Sequence, residues 1–185
     1  MNEKIAAKEL VAVARELTGA PESKYDNPID QWLSENGWTE THGIGLYTNP
    51  RFPLVGVDTN SGEAAVNAYE SKSDIFNDEG SFIEYTDNIG KIKKAVKEGA
   101  VVGQLFSVLR KKYPRHTAFM PTSSISFHAN RDDDVSFTVY TDNWTVVVGQ
   151  KFGSPQIKKK MTPNVRSIVR FIEDAQQEIL AGGER

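Results

Sequence analysis

The sequence predicts an α+β fold. An antiparallel sheet, built from a three-stranded C-terminal meander and short N-terminal strands, carries helices packed on one face, and an N-terminal helix reads as separable. Three observations predict this. Phe137, Val139 and Thr141 alternate with Ser136, Thr138 and Tyr140, the period of a half-buried strand. Val102, Leu105, Phe106, Leu109 and Tyr113 recur at helical spacing. Breakers such as Asn49-Pro50 and Asn60-Ser61-Gly62 cut the N-terminal half into short extended pieces.

The elements follow in order. Residues 3–18 place Ala6, Leu10, Val13, Ala14 and Leu17 on one helical face, and Gly19 supplies a stop. Residues 1–19 are thus an amphipathic helix, 20–27 a linker and 28–185 a single α+β domain. Asn27-Pro28 opens a short helix with an N-cap residue and a proline at its first position, and Asn36-Gly37 ends it. Strands are expected at Gly43–Thr48, Pro53–Asp58, Glu63–Tyr69 and Ser81–Tyr85, with an acidic loop over Ser71–Gly80. Thr86 or Asp87 caps a helix that either stops at Gly99, before a second helix running to Pro114, or continues through it. Ser124–Ala129, Val135–Thr141 and Thr145–Phe152 form the meander, with turns at 130–134 and 142–143. Thr162 and Pro163 begin a final helix to about Leu180. The tetrapeptide Tyr-Thr-Asp-Asn occurs at 85–88 and 140–143, before a helix in one case and a strand in the other, and so marks no duplication.

Composition limits the function classes. The 185 residues include no cysteine, which excludes disulfides, thiolate metal sites and a cysteine nucleophile. No run of about 18 apolar residues predicts a membrane span, and the first 20 residues lack the apolar core of a secretory signal. A cytoplasmic setting is expected. The formal net charge of -3 conceals a division. Residues 1–90 hold 6 Lys/Arg and 16 Asp/Glu, a net of -10, while residues 91–185 hold 16 and 9, a net of +7. Such asymmetry points to an anionic partner for the basic half, or to acidic and basic surfaces that meet within one fold or between subunits.

Motif searches assign no catalytic residue, metal site or cofactor. The histidines, His42, His116 and His128, form no ligand pair. His128 precedes Asp132-Asp133-Asp134, a run read as a solvated turn. Gly-x-Ser-x-Gly, Walker A and dinucleotide patterns are missing. Gly43-Ile44-Gly45-Leu46-Tyr47 with Val55-Gly56-Val57 is similar to the paired strands of GIY-YIG nucleases. The second Gly, Gly45, stands in place of the expected Tyr, however, and no catalytic Arg or Glu follows at a matching spacing. The pattern from Lys8-Glu9-Leu10 to Leu17-Thr18 resembles leader helices of some phage-encoded proteins, which implies a host-cytoplasmic or virion location.

Three functions stay open. The first is a non-enzymatic interaction or structural protein, self-associating or docking on a partner, with Leu10, Val13 and Leu17 as partner-binding residues. The second is a single-stranded nucleic-acid-binding protein. Lys93, Lys94, Lys111, Lys112, Lys158, Lys159 and Lys160 would follow phosphates, and Tyr140 and Trp144, expected to be exposed, would stack on bases. The third is a hydrolase with a His/Asp site. No membrane partner is expected.

Overall fold

The structure, a computed structural model, describes residues 27–41, 45–60, 62–77, 80–121, 123–130, 135–150 and 156–182. The expected N-terminal helix with Leu10, Val13 and Leu17, the linker up to residue 26, His42 and the 131–134 turn lie outside the described residues.

Two five-stranded antiparallel meanders share helices on their inner faces. The first contains β1 (Thr39–Thr41), β2 (Leu46–Thr48), β3 (Val55–Asn60), β4 (Glu63–Ala68) and β5 (Ser81–Thr86). The second contains β6 (Thr117–Phe119), β7 (Ser124–His128), β8 (Val135–Tyr140), β9 (Thr145–Gln150) and β10 (Gln156–Lys160). The helices are α1 (Pro28–Glu35), the single-turn α2 (Asp74–Asn77), α3 (Ile89–Lys112) and α4 (Val165–Gly182). The α+β class with helices against sheet is as expected. The expected C-terminal meander of three strands has five, because β6 and β10 flank it. The acidic loop over Ser71–Gly80 contains α2.

Caps explain where the helices begin. Asp30 N–H donates to Asn27 Oδ1 at 2.8 Å, as the Asn-Pro opening predicts. The α3 cap is Asn88, whose side chain accepts from Lys91 N–H at 3.1 Å, rather than Thr86 or Asp87. Thr86 Oγ1 accepts from Asn88 N–H and so supports that cap from one step back. Asn164, rather than Thr162, caps α4, accepting from Ser167 N–H at 2.9 Å.

The helix α3 runs unbroken through Gly99. Its 24 residues are about 36 Å long, roughly twice the ~19 Å width of a five-stranded sheet. One helix can therefore serve both sheets. Its first half gives Ile92, Ala95 and Val96 to a core with Ile29, Leu33, Trp38, Tyr47, Val57 and Val66. Its second half gives Val102, Leu105, Phe106 and Leu109 to a core with Phe127, Phe137, Val139, Val148, Ile168 and Ile172. Ile83 of β5 packs against both cores.

The end of α3 is tied to α4 and β8 by a polar chain. Tyr113 Oη donates to Gln176 Oε1 at 2.8 Å, and Gln176 Nε2 donates to Val135 O at 3.3 Å. His116 Nε2 lies 3.1 Å from the same carbonyl, which can only accept, so this nitrogen carries the proton. Burial pushes the Tyr113 phenol up to about 12, with the Glu173 carboxylate adding to the effect. The unfolded chain ionises this group near 10, so its stabilising contribution is intact below pH 10 and is lost as pH rises toward 12. Urea unfolding at about pH 8, 10 and 11.5 should show Tyr113→Phe losing less stability than the parent across that interval. Parallel losses would contradict this account.

Candidate functional site: the helix-free sheet faces

Each meander buries one face under helices, and among the described residues no helix covers the other. In the second sheet Ile125, Phe127, Phe137, Val139, Val146 and Val148 point into the core, so their alternates point outward. Pairing aligns Lys160, Thr145, Tyr140 and Ser124 in one row across this outer face. The next row holds Lys158, Val147, Thr138, Ser126 and Phe119. Hydroxyls dominate, and Ser126 Oγ and Thr138 Oγ1 lie 3.1 Å apart across the strands. No strand residue described on this face is a carboxylate.

The first sheet differs in charge. One outer row holds Thr41, Leu46, Asp58, Ala65 and Tyr85, and the next holds Thr39, Thr48, Gly56, Asn67 and Phe82. Glu63, two residues before Ala65 on β4, shares this face. Tyr85 Oη donates to Glu63 Oε2 at 2.6 Å. That bond, slight desolvation and the negative charges of Glu63 and Asp58 all raise the Tyr85 phenol above its ordinary value. One end of the face is covered, since the buried Tyr69 ring lies against Gly56 and Gly80.

Exposed aromatics concentrate on these faces. Phe119 is 52% exposed, Tyr85 51%, Tyr140 44% and Phe82 39%. Phe82 and Phe119 flank the link between the two sheets, where Ser81 Oγ donates to Pro121 O at 3.1 Å. Phe119 also meets His128 edge-on, with centroids 5.7 Å apart. Beside His128 an open cleft of about 160 Å³ is lined by Ser136, Thr138, Val147 and Gln156, with no carboxylate in its lining.

The residues expected to contact nucleic acid are divided by the sheet. Tyr140, Lys158 and Lys160 come together on the outer face. Lys159 points the other way and sits 5.4 Å from the centre of the Phe171 ring on α4. Lys93, Lys94, Lys111 and Lys112 belong to α3, on the inner side. Lys93 lies 5.3 Å over the Trp32 ring, and Lys94 pairs with Glu98 at 3.6 Å. Lys112 pairs with Glu173, and the neighbouring Arg110 pairs with Glu70 at 3.7 Å.

Trp144, expected to be exposed, is only 9% exposed and belongs to the core. Its backbone takes φ 54°, and its carbonyl accepts from Met161 N–H at 2.8 Å. The left-handed turn swings the ring inward, and burial of a large aromatic offsets the roughly 1–2 kcal/mol cost of that conformation.

Phe119 and the Asp58–Glu63–Tyr85 group escaped the sequence reading. Phe119 sits on a three-residue strand between Pro114 and Pro121. At β5 a register shift opposite Val66/Asn67 breaks the alternation that would otherwise put Phe82 and Tyr85, three residues apart, on opposite faces.

Among the described residues no three His, Asp or Glu side chains gather to hold a metal ion, and no helix is long and apolar enough to cross a membrane. Comparison of the chain with family models, curated proteins and solved structures finds no match.

Proposed function

We propose that the chain is a non-enzymatic interaction protein that docks on protein through the helix-free faces of its sheets. One observation carries the reading. The exposed aromatic side chains Phe82, Tyr85, Phe119 and Tyr140 all lie on those faces. Aromatics are enriched where proteins meet, and large exposed rings grouped on a face mark interaction surfaces. The basic residues argue in the same direction. On α3, Lys93, Lys94, Arg110 and Lys112 are engaged with carboxylates or an aromatic ring on the helical side, so these four extend no phosphate track from Lys158 and Lys160.

A photo-crosslinking amino acid at Phe82, at Phe119 or at the exposed helix position Val108 tests this in cells that make the protein. Protein adducts at Phe82 and Phe119, with few at Val108, are the expected result. Adducts mainly at Val108 would overturn the reading, and adducts to nucleic acid at Phe119 would transfer the function to the single-stranded nucleic-acid class.

A further inference from the structure

The two helix-free faces carry opposite charge in similar spacing. Asp58 and Glu63 lie diagonally on adjacent strands, about 7–8 Å apart at the backbone. Lys158 and Lys160 lie two residues apart on one strand, a separation of about 7 Å. The described strand residues of the first face include no lysine or arginine, and those of the second no carboxylate. Each face also presents two exposed aromatics, Phe82 and Tyr85 on one and Phe119 and Tyr140 on the other. All four lysines and carboxylates stand on strands whose opposite side is fixed in a packed core, so the charges are held in place by the fold.

We propose that the partner is a second copy of this chain, its acidic first sheet face seated on the basic second sheet face of its neighbour. This rests on the docking reading above and names the occupant. Like faces would set carboxylate against carboxylate or ammonium against ammonium, so the pairing is between unlike faces. A chain with one face of each kind either closes into a two-fold pair or continues head to tail. A five-stranded face has a footprint of roughly 19 by 17 Å. That is well below the ~800 Å² per partner of a standard interface. A single contact is therefore weak and salt-sensitive, and a closed pair is stronger because it makes the contact twice.

Charge exchange tests the pairing with the full chain. Asp58→Lys/Glu63→Lys makes both faces positive, Lys158→Glu/Lys160→Glu makes both negative, and the fourfold variant exchanges them. Circular dichroism confirms folding of each, and the neutral Asp58→Asn/Glu63→Gln gives a milder version. Light scattering would follow each protein from roughly 10 to 500 μM at about 50 and 500 mM salt. The parent should associate, about tenfold more weakly at the higher salt. Each double variant alone should be about tenfold weaker than the parent, an equimolar mixture of the two should recover association, and the fourfold variant should resemble the parent.

A mixture no better than its components overturns the pairing, as does a parent that stays single throughout; the crosslinks at Phe82 and Phe119 then judge the docking reading on its own. Association that survives both charge variants but is lost in Phe119→Ser/Tyr140→Ser also overturns the pairing, while the docking reading stands.

Discussion

Phe127→Ala is expected to lower stability by about 3–5 kcal/mol. Phe127 is fully buried at the centre of an aromatic cluster. It stacks on Phe137 with centroids 5.0 Å apart and planes 12° from parallel. Phe106 of α3 meets it at 5.5 Å, and Tyr113 at 6.3 Å. The ring thus joins β7, β8 and α3, and its loss opens a cavity walled by other rings that cannot collapse without moving the helix. A domain with 5–15 kcal/mol of total stability would be left near its threshold, so Phe127→Leu provides a variant folded well enough to measure. Urea unfolding followed by circular dichroism gives both values. A loss below about 1 kcal/mol for the alanine variant would contradict the packing described.

Two glycines in α3 should respond in opposite directions to the same change. A Cβ at Gly103 would lie 2.8 Å from the Tyr69 carbonyl oxygen and 2.9 Å from Leu54 Cβ. Both atoms belong to, or hang directly from, the backbone immediately flanking β3 and β4, and Tyr69 N–H is itself tied to Leu54 O at 2.9 Å. Relief would therefore require the helix to move off the sheet, and Gly103→Ala should cost about 1–3 kcal/mol after the gain in helix propensity. At Gly99, one turn earlier, the nearest atoms are the Val55 methyls at 3.5 and 3.7 Å and Ile83 Cγ1 at 3.6 Å, ordinary contact distances. There the helical preference of alanine over glycine should prevail, stabilising by up to about 1 kcal/mol. Thermal unfolding of the two variants side by side decides this, and a Gly103→Ala variant as stable as Gly99→Ala would refute the close approach.

The sequence revealed elements in proportion to the apolar side chains each turns inward. In β7, β8 and β9 at least two per strand, among them Ile125, Phe127, Phe137, Val139, Val146 and Val148, made the alternation plain. In β10 only Ile157 and the stem of Lys159 face the core, so Lys158–Lys160 read as a basic run rather than as a strand. Lysines on an edge strand also discourage a foreign strand from pairing there. The three-residue strands β1 and β6 are too short for any period to show. Gly99 left two readings of the helical region open, and what settles it is tertiary. The buried stripe Ile92, Val96, Gly99, Val102 and Phe106 is continuous, and both sheets need it.

The candidate surface was half legible for a related reason. Tyr140 is outward by simple parity with Ser136 and Thr138. Trp144 follows a backbone turn that parity ignores. Asp58, Glu63 and Tyr85 become a group only once β3, β4 and β5 are placed side by side in register.

Among the described residues every strand pairs with a strand next to it in the chain, within its own sheet, so strand pairing can proceed in step with synthesis, from the N-terminus onward. The shared helix α3 sets an exception. Its first half finds its sheet already made when it emerges, whereas Val102, Leu105, Phe106 and Leu109 belong with strands that have yet to be translated. Until β7 to β9 and α4 follow, about 70 residues later at the far end, that stripe stands bare on an otherwise finished half. The nascent chain is most prone to aggregation in this interval, and the length of the interval is set by translation speed.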